Sequence, residues 1–242
     1  MNTKLEWRLE KVAECSTAIL ERCYNLLRKH FDGVSYESFL SDLEEKEYTA
    51  YLSVSSDIND EPITVGGFST MMTKEIIVDG TIQKIVFSGD TIVDHEYRRS
   101  FGLGKCLGTY FLLKLKDSAE DLWYVLLSKG CGTYKAMGFM FNDFTPSPSN
   151  HNEAEASIAT QFLTRKYPDR EILDQTVLKA EGDAQRLRET SSDLDTDNDV
   201  LGQFFLDTNP GYASGNELIC IARVHPDNFT KQFKRVLKGV EI

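Results

Sequence analysis

The 242-residue sequence predicts an α/β fold of the α+β kind: a mixed, mainly antiparallel central sheet flanked by helices, with a helical insertion. Three observations predict it. Runs of β-branched and aromatic residues follow one another between residues 48 and 87, as in an antiparallel meander. Beyond residue 90 the alternation becomes β-α-β-α. From Thr145-Pro-Ser-Pro148 the composition turns polar, so residues 147–200 read as a mainly helical insertion within a single domain spanning 1–242.

Each element has a local reason. From Leu5 onward Leu9, Val12, Ile19, Cys23, Leu26 and Leu27 recur three or four apart, one face of a long amphipathic helix that Asp32-Gly33 ends. Ser35 caps a shorter helix with Tyr36, Phe39, Leu40 and Leu43 on its inner side. Strands are expected over 48–54, 63–72, 76–78 and 82–87, and Asp79-Gly80 is a tight-hairpin signal between the last two. A strand over 91–93 leads through a glycine-bearing turn to a helix over 103–115, a strand over 122–127 and a short helix over 133–137. Helical patterns return over 153–165, 172–187 and 200–206; Asn209-Pro-Gly211 and Gly215 then break the chain before a strand over 217–224. His225-Pro226 opens a last helix carrying Phe229, Phe233, Val236 and Leu237, proline being favoured in a first turn.

Composition narrows the function. With 27 Lys and Arg against 38 Asp and Glu the net charge is −11, which argues against a simple nucleic-acid coat. Apolar runs last only a few residues where a membrane span needs roughly 20, so no membrane segment is expected. The opening Met-Asn-Thr-Lys-Leu-Glu-Trp-Arg becomes charged where a secretory signal needs its apolar stretch, and a cytoplasmic location is expected. Five widely spaced cysteines, Cys15, Cys23, Cys106, Cys131 and Cys220, suggest neither a disulfide framework nor a zinc site.

Several chemical signatures fail on direct reading. Gly102-Leu-Gly104-Lys-Cys-Leu-Gly108 is one residue too long for the dinucleotide fingerprint, and Gly104-Lys105 lacks the other parts of a P-loop. His95-Glu96 is followed by Arg99 where a zinc protease needs its second His. Asp193-x-Asp195-x-Asp197 has Asn198 where a calcium loop needs glycine, and reads as a solvated acidic loop. No metal is expected.

What survives is Arg99-Ser-Phe-Gly102-Leu-Gly104, an R-x-x-G-x-G segment between a strand and an apolar helix. It has the makings of an anion site. Glycines let backbone amides converge, the helix start supplies positive potential, and Arg98, Arg99 and Lys105 add charge suited to a pyrophosphate.

Here the sequence resembles the GNAT superfamily of acyl-CoA-dependent N-acyltransferases, whose Q/R-x-x-G-x-G/A motif follows the fourth strand. About 30 residues on, Tyr134-Lys-Ala-Met-Gly-Phe139 is similar to the family's Y-x-x-x-G-F. Order and spacing agree over residues 5–141, with 217–224 as a late strand of the same sheet. Two departures stand out: Tyr97-Arg98-Arg99 contains an extra residue, leaving open which Arg faces the phosphates, and Leu127-Ser-Lys-Gly-Cys-Gly132 lacks an Asn that many members have. Residues 204–218 also resemble a poorly characterised GNAT-like group.

The resemblance implies acetyl-CoA, or another acyl-CoA, as co-substrate. It would be held by Ile92, Val93, Arg98, Arg99, Ser100, Phe101, Gly102, Leu103, Gly104 and Lys105, with a Val93 amide aimed at the oxyanion. It further implies Tyr134 as the general acid for the departing thiolate. For the base, Asp90, Asp94 and Glu96 share strand parity, a bulge at Gly89 would change their faces, and Asp90 is the choice. The expected activity is transfer of acetyl to a small-molecule or peptide amine bound between the N-terminal helices, the meander and the insertion. A non-catalytic acyl-CoA-binding protein and an enzyme taking a longer chain from CoA or a carrier protein are the alternatives.

Overall fold

The computed structural model describes residues 3–56, 59–98, 101–116, 121–182, 185–188 and 199–240. Its first element corrects the sequence reading. Leu5-Glu6-Trp7-Arg8-Leu9-Glu10 alternates apolar and charged residues with period two, and it forms strand β1 (Thr3–Lys11) rather than the start of a helix. Helix α1 (Thr17–His30) begins only where the Ser16 hydroxyl accepts from the Ile19 amide at 3.3 Å, and it buries Ile19, Cys23, Leu26 and Leu27. After β2 (Phe31–Asp32), Gly33 turns the chain with φ of 75°. Ser35 caps α2 (Tyr36–Glu44) through the Ser38 amide at 3.0 Å. Phe39 and Leu43 are buried there, whereas Leu40 faces out.

The meander forms with fewer, longer strands. They are β3 (Tyr48–Ser56), β4 (Asn59–Val78) and β5 (Thr81–Val93), the last uniting the expected strands over 82–87 and 91–93. Between β4 and β5, Asp79 and Gly80 both take positive φ, 50° and 79°, as a two-residue hairpin turn requires. Next come α3 (Gly102–Lys116), β6 (Leu122–Ser128), α4 (Cys131–Met140) and α5 (Glu153–Lys166). Among the described residues of 172–187 the expected helix does not form. Ile172, Leu173, Val177 and Leu178 flank a tight turn in which Asp174 and Gln175 have positive φ, giving β7 (Ile172–Leu173) and β8 (Val177–Leu178), with β9 (Arg186–Leu187) beyond. The chain closes with α6 (Val200–Thr208), β10 (Glu217–Arg223) and α7 (Lys231–Val236). The last helix starts later than proline suggested, because Thr230, not Pro226, adjoins its first turn and accepts from the Phe233 amide at 3.0 Å.

The main sheet runs β1-β3-β4-β5-β6-β10-β8-β7, and among the described residues only the β5–β6 pair is parallel; β2 and β9 pair separately. Alternating side chains give it two packed faces. On one, α3, α4, α6 and α7 bury Phe111, Tyr134, Phe205 and Phe233 against Val86, Tyr124 and Cys220. On the other, α1 and α2 cover Tyr51, Phe68 and Ile92, and α5 covers Phe87, Val125 and Ile219. Each large apolar side chain so buried contributes about 1.5–3 kcal/mol. The expected mixed, mainly antiparallel sheet between helices is what the chain forms.

Candidate functional site

Strands β5 and β6 are bonded from Lys84 and Leu122 to Ser88 and Leu126, and there the pairing stops although both strands continue. The cause is a bulge. The β4–β5 register jumps between Ser69 and Met71, opposite residues 88–91, and Gly89 makes the bend possible. A Cβ on Gly89 would lie 2.5 Å from Thr70 Oγ1 and 2.6 Å from Lys46 Cε. Past the bulge the Asp94 amide donates to the Gly66 carbonyl at 2.9 Å. Backbone groups of successive strand residues point to opposite edges, so Val93 turns its amide and carbonyl into the opened gap while Ile92 turns to β4. The Val93 carbonyl accepts from Arg98 Nε at 3.1 Å. Ile92 presents its buried side chain to α1 and α2 instead.

The start of α3 follows β5 in the chain. Its first helical bond runs from the Lys105 amide to the Phe101 carbonyl at 3.0 Å, so the amides of Gly102, Leu103 and Gly104 have no acceptor within the helix. Arg98 and Lys105 are exposed beside them, a setting that fits a pyrophosphate. Arg99 and Ser100 lie outside the described residues. The glycines divide the work differently from expectation. A Cβ on Gly102 would overlap the Trp7 indole of β1, whereas one on Gly104 would sit 3.5 Å from Phe139, in ordinary contact on the protein side. Phe101, 63% exposed, stacks on Phe139 with ring centres 5.5 Å apart.

Behind the bulge, on the α1–α2–α5 face, is a cleft of about 370 Å3 whose lining includes Phe31, Asp42, Phe87, Asp90, Lys129, Tyr167, Arg170 and Glu217. Asp90 is sunk in it. Burial and the Asp42 carboxylate push the Asp90 carboxyl up to about 6, against the opposing pull of Lys129 and Lys46. Asp42 accepts from Lys46 Nζ at 2.6 Å. Across the cleft Glu217 pairs with Arg170 Nη1 at 2.7 Å and with Lys129 Nζ at 3.6 Å. Burial and the charges of Glu217 and Asp42 raise the Tyr167 phenol above its usual range.

The other base choices are placed less favourably. Asp94 is bound to Lys29 and lies 3.7 Å from His30 Nε2; burial pushes its carboxyl up, but the Lys29 contact outweighs this and holds it below the usual range. Glu96 is exposed in the turn that follows.

Tyr134 is elsewhere. Its ring is fully buried among Phe144, Phe204 and Phe205, and its hydroxyl donates to the Pro146 carbonyl at 3.0 Å. Burial, with Cys220 of β10 nearby, raises the phenol further above its usual range. Tyr134 does not line the Asp90 cleft, so the structure does not bring together the two residues that the sequence pairs as acid and base. Sequence reasoning missed Asp42 of α2, Lys129 in the turn after β6, Arg170 in the loop after α5 and Glu217 of β10, which share no spacing. Among the described residues no cluster of three His, Cys, Asp or Glu is placed to hold a metal, and no helix is long and apolar enough to cross a membrane.

No family model matches the chain, and no curated protein matches it. Solved structures similar to it include a conserved Enterococcus faecalis protein of unknown function described as a probable N-acyltransferase, at 14% identity and a TM-score of 0.41 over 58% of this chain and 33% of that one. The chain thus spans a third of that protein's length. The Escherichia coli GNAT family N-acetyltransferase YhbS in complex with CoA is similar at 18% identity and a TM-score of 0.39, over 57% of this chain and 70% of that one. Arabidopsis thaliana NAA60 in complex with acetyl-CoA is similar at 13% identity and a TM-score of 0.40, over 58% and 87%.

Proposed function

We propose that the chain is an acyl-CoA-dependent N-acyltransferase that moves acetyl from acetyl-CoA to an amine by direct attack. One observation carries this reading: β5 parts from β6 beyond Ser88, turning the Val93 backbone into the gap, with the Asp90 carboxyl in a cleft behind and the start of α3 following in the chain. The R-x-x-G-x-G segment and its following helix support it from sequence.

In this reading Asp90 takes the proton that keeps the acceptor an ammonium ion. The freed nitrogen attacks the thioester carbonyl, and the Val93 amide donates to the oxygen as it becomes negative. Nitrogen releases its second proton to solvent, collapse of the adduct re-forms the carbonyl and breaks the C–S bond, and CoA leaves as a thiolate that takes a proton from solvent, Asp90 then returning its own proton to solvent. A thiol of ordinary pKa about 8.5 is a good enough leaving group for that. The α3 amides, Lys105 and Arg98 hold the pyrophosphate, and Tyr167 and Arg170 form the acceptor's wall. Five thiols outside any disulfide suit a cytoplasmic setting.

Tyr134 favours a second reading. With its hydroxyl bonded to Pro146, Tyr134 is not free to protonate the thiolate, as in a protein that binds acyl-CoA without turnover. Mass spectrometry of an amine panel incubated with acetyl-CoA separates the two: an acetylated amine supports the enzyme, and tight CoA binding without product supports the binder.

A further inference from the structure

Strand β1 ends the main sheet, and among the described residues no strand lies beyond it. One hydrogen bond fixes which of its backbone groups face that open side. The Val12 amide donates to the Glu47 carbonyl at 3.0 Å, one step past the Lys11–Tyr48 pair, which makes Lys11 and Tyr48 a non-hydrogen-bonded pair. The β1–β3 register runs unbroken from there to Thr3. By alternation Glu10, Arg8, Glu6 and Lys4 bond to β3, while Lys11, Leu9, Trp7, Leu5 and Thr3 turn their amides and carbonyls outward.

The side chains of this edge alternate in sign as well as in face. Trp7 and Leu9 pack on the α3 side, and Leu5, on the same face, is 53% exposed. The opposite face carries Lys4, Glu6, Arg8 and Glu10, which read plus, minus, plus, minus. Within the chain Arg8 Nη2 donates to Glu6 at 2.9 Å, Lys4 Nζ lies 3.9 Å from Glu6, and Glu10 accepts from the Tyr51 hydroxyl at 2.9 Å. The order is its own complement. Read from the other end it is minus, plus, minus, plus, so a second β1 laid antiparallel offers an opposite charge at every position.

We propose that two copies of this chain pair through β1, antiparallel about a two-fold axis beside Trp7, and so continue one sheet into the other. Trp7 then faces the partner's Trp7, Leu5 the partner's Leu9, Glu6 the partner's Arg8, and Lys4 the partner's Glu10. Residues whose backbone points outward oppose one another and exchange hydrogen bonds. The charged residues fall in the non-hydrogen-bonded pairs between them, where opposed Cα atoms are only about 4.5 Å apart. Other registers fail. A shift of one residue turns the partner's bonding groups away, and a shift of two sets either Lys4 against Arg8 and Glu6 against Glu6, or Glu6 against Glu10 and Arg8 against Arg8. Larger shifts restore attraction over five positions at most, against nine in the centred register. A charged edge ordinarily repels every copy of itself, whereas this one admits a single full-length pairing. The interface is independent of the chemistry proposed for the cleft.

The test is sedimentation velocity of the full chain from about 1 μM to about 1 mM, in low and in high salt. The parent should pass from monomer to dimer with concentration, and salt should weaken the association. Glu6→Arg and Arg8→Glu each set like charges opposite one another and should weaken it at least about tenfold, while the double variant, which exchanges the two charges, should restore it. Leu5→Pro removes only an outward amide, spares the β3 ladder, and should weaken the dimer with the charges intact. Oxidative cross-linking reads the register: Glu6→Cys mixed with Arg8→Cys should couple faster than either variant alone. A parent that stays monomeric at every concentration overturns the proposal. So does a dimer that the folded single reversals leave intact, or a double variant no tighter than the singles. Where a reversal does not fold, a dimer unchanged by Leu5→Pro, or cross-linking no faster in the mixture, overturns it equally.

Discussion

Tyr134 donates its hydroxyl to the carbonyl oxygen of Pro146 at 3.0 Å, inside a shell of three phenylalanine rings. The phenol that the family resemblance nominates as an acid is therefore a core group satisfied by backbone. Tyr134→Phe keeps the ring but leaves that carbonyl without its donor. The expected cost is about 1–2 kcal/mol, a melting temperature lower by a few degrees, with turnover per folded molecule unchanged. A fall in rate of about 10²-fold at normal stability would return Tyr134 to the acid role.

Gly102 and Trp7 form a second test. Because a side chain at Gly102 meets the indole of β1, Gly102→Ala should cost about 1–3 kcal/mol in the parent and little once Trp7 is replaced by Ala. Gly104→Ala should be neutral or stabilising, since alanine prefers a helix by about 1 kcal/mol and the space exists. Denaturant unfolding of the four variants and the parent gives the coupling directly. Additive effects at positions 7 and 102 would show that the contact is not what requires glycine.

The cysteines should behave as packing residues. Cys23, Cys106, Cys131 and Cys220 are buried, and burial pushes the Cys106 thiol up to about 11; burial and Glu10 push Cys15 up to about 12. Native protein should react slowly with a thiol reagent, and unfolded protein should show five free groups. Rapid labelling of Cys106 in the folded state would contradict this picture.

Asp90 links stability to pH. Its carboxyl lies near 6 in the folded protein against an ordinary 3.8, so between those values the native state holds the proton more tightly than the unfolded one. Stability from this group is present below about pH 4 and is lost as pH rises through 6. Asp90→Asn escapes the cost of the buried charge, so its melting temperature relative to the parent should be several degrees higher at pH 8 than at pH 4. The same difference at both pH values would mean that Asp90 is not desolvated.

Much of this arrangement was legible in the chain itself, for local reasons. Asp79-Gly80 and the cap Ser35 act within a few residues, and the hairpin and the helix they border form where their patterns place them. The errors came where two periods competed. Leu5, Leu9 and Val12 fit a helical spacing, yet Trp7 between them supplies the period of two that β3 exploits, and pairing with β3 decided the matter. Ile172 to Leu187 looked helical by apolar spacing, but an exposed edge at β10 accepts the Val177–Leu178 strand. The site was half legible. Asp90 and Val93 follow from a strand leading into a motif, whereas Lys129, Arg170 and Glu217 meet only because β6, α5 and β10 bring them to one cleft.

The central claim is acyl transfer under Asp90, and the pH dependence of kcat/KM in the parent and in Asp90→Asn tests it most directly, with acetyl-CoA and any accepted amine between about pH 5 and pH 8. In the parent the rate should rise through a limb near pH 6 that reports the Asp90 carboxyl, before any limb from the amine itself. Asp90→Asn should lose that limb and fall by about 10²-fold or more while acetyl-CoA still binds. A folded Asp90→Asn that keeps both the limb and the full rate would remove Asp90 from the reaction and the cleft from the active site.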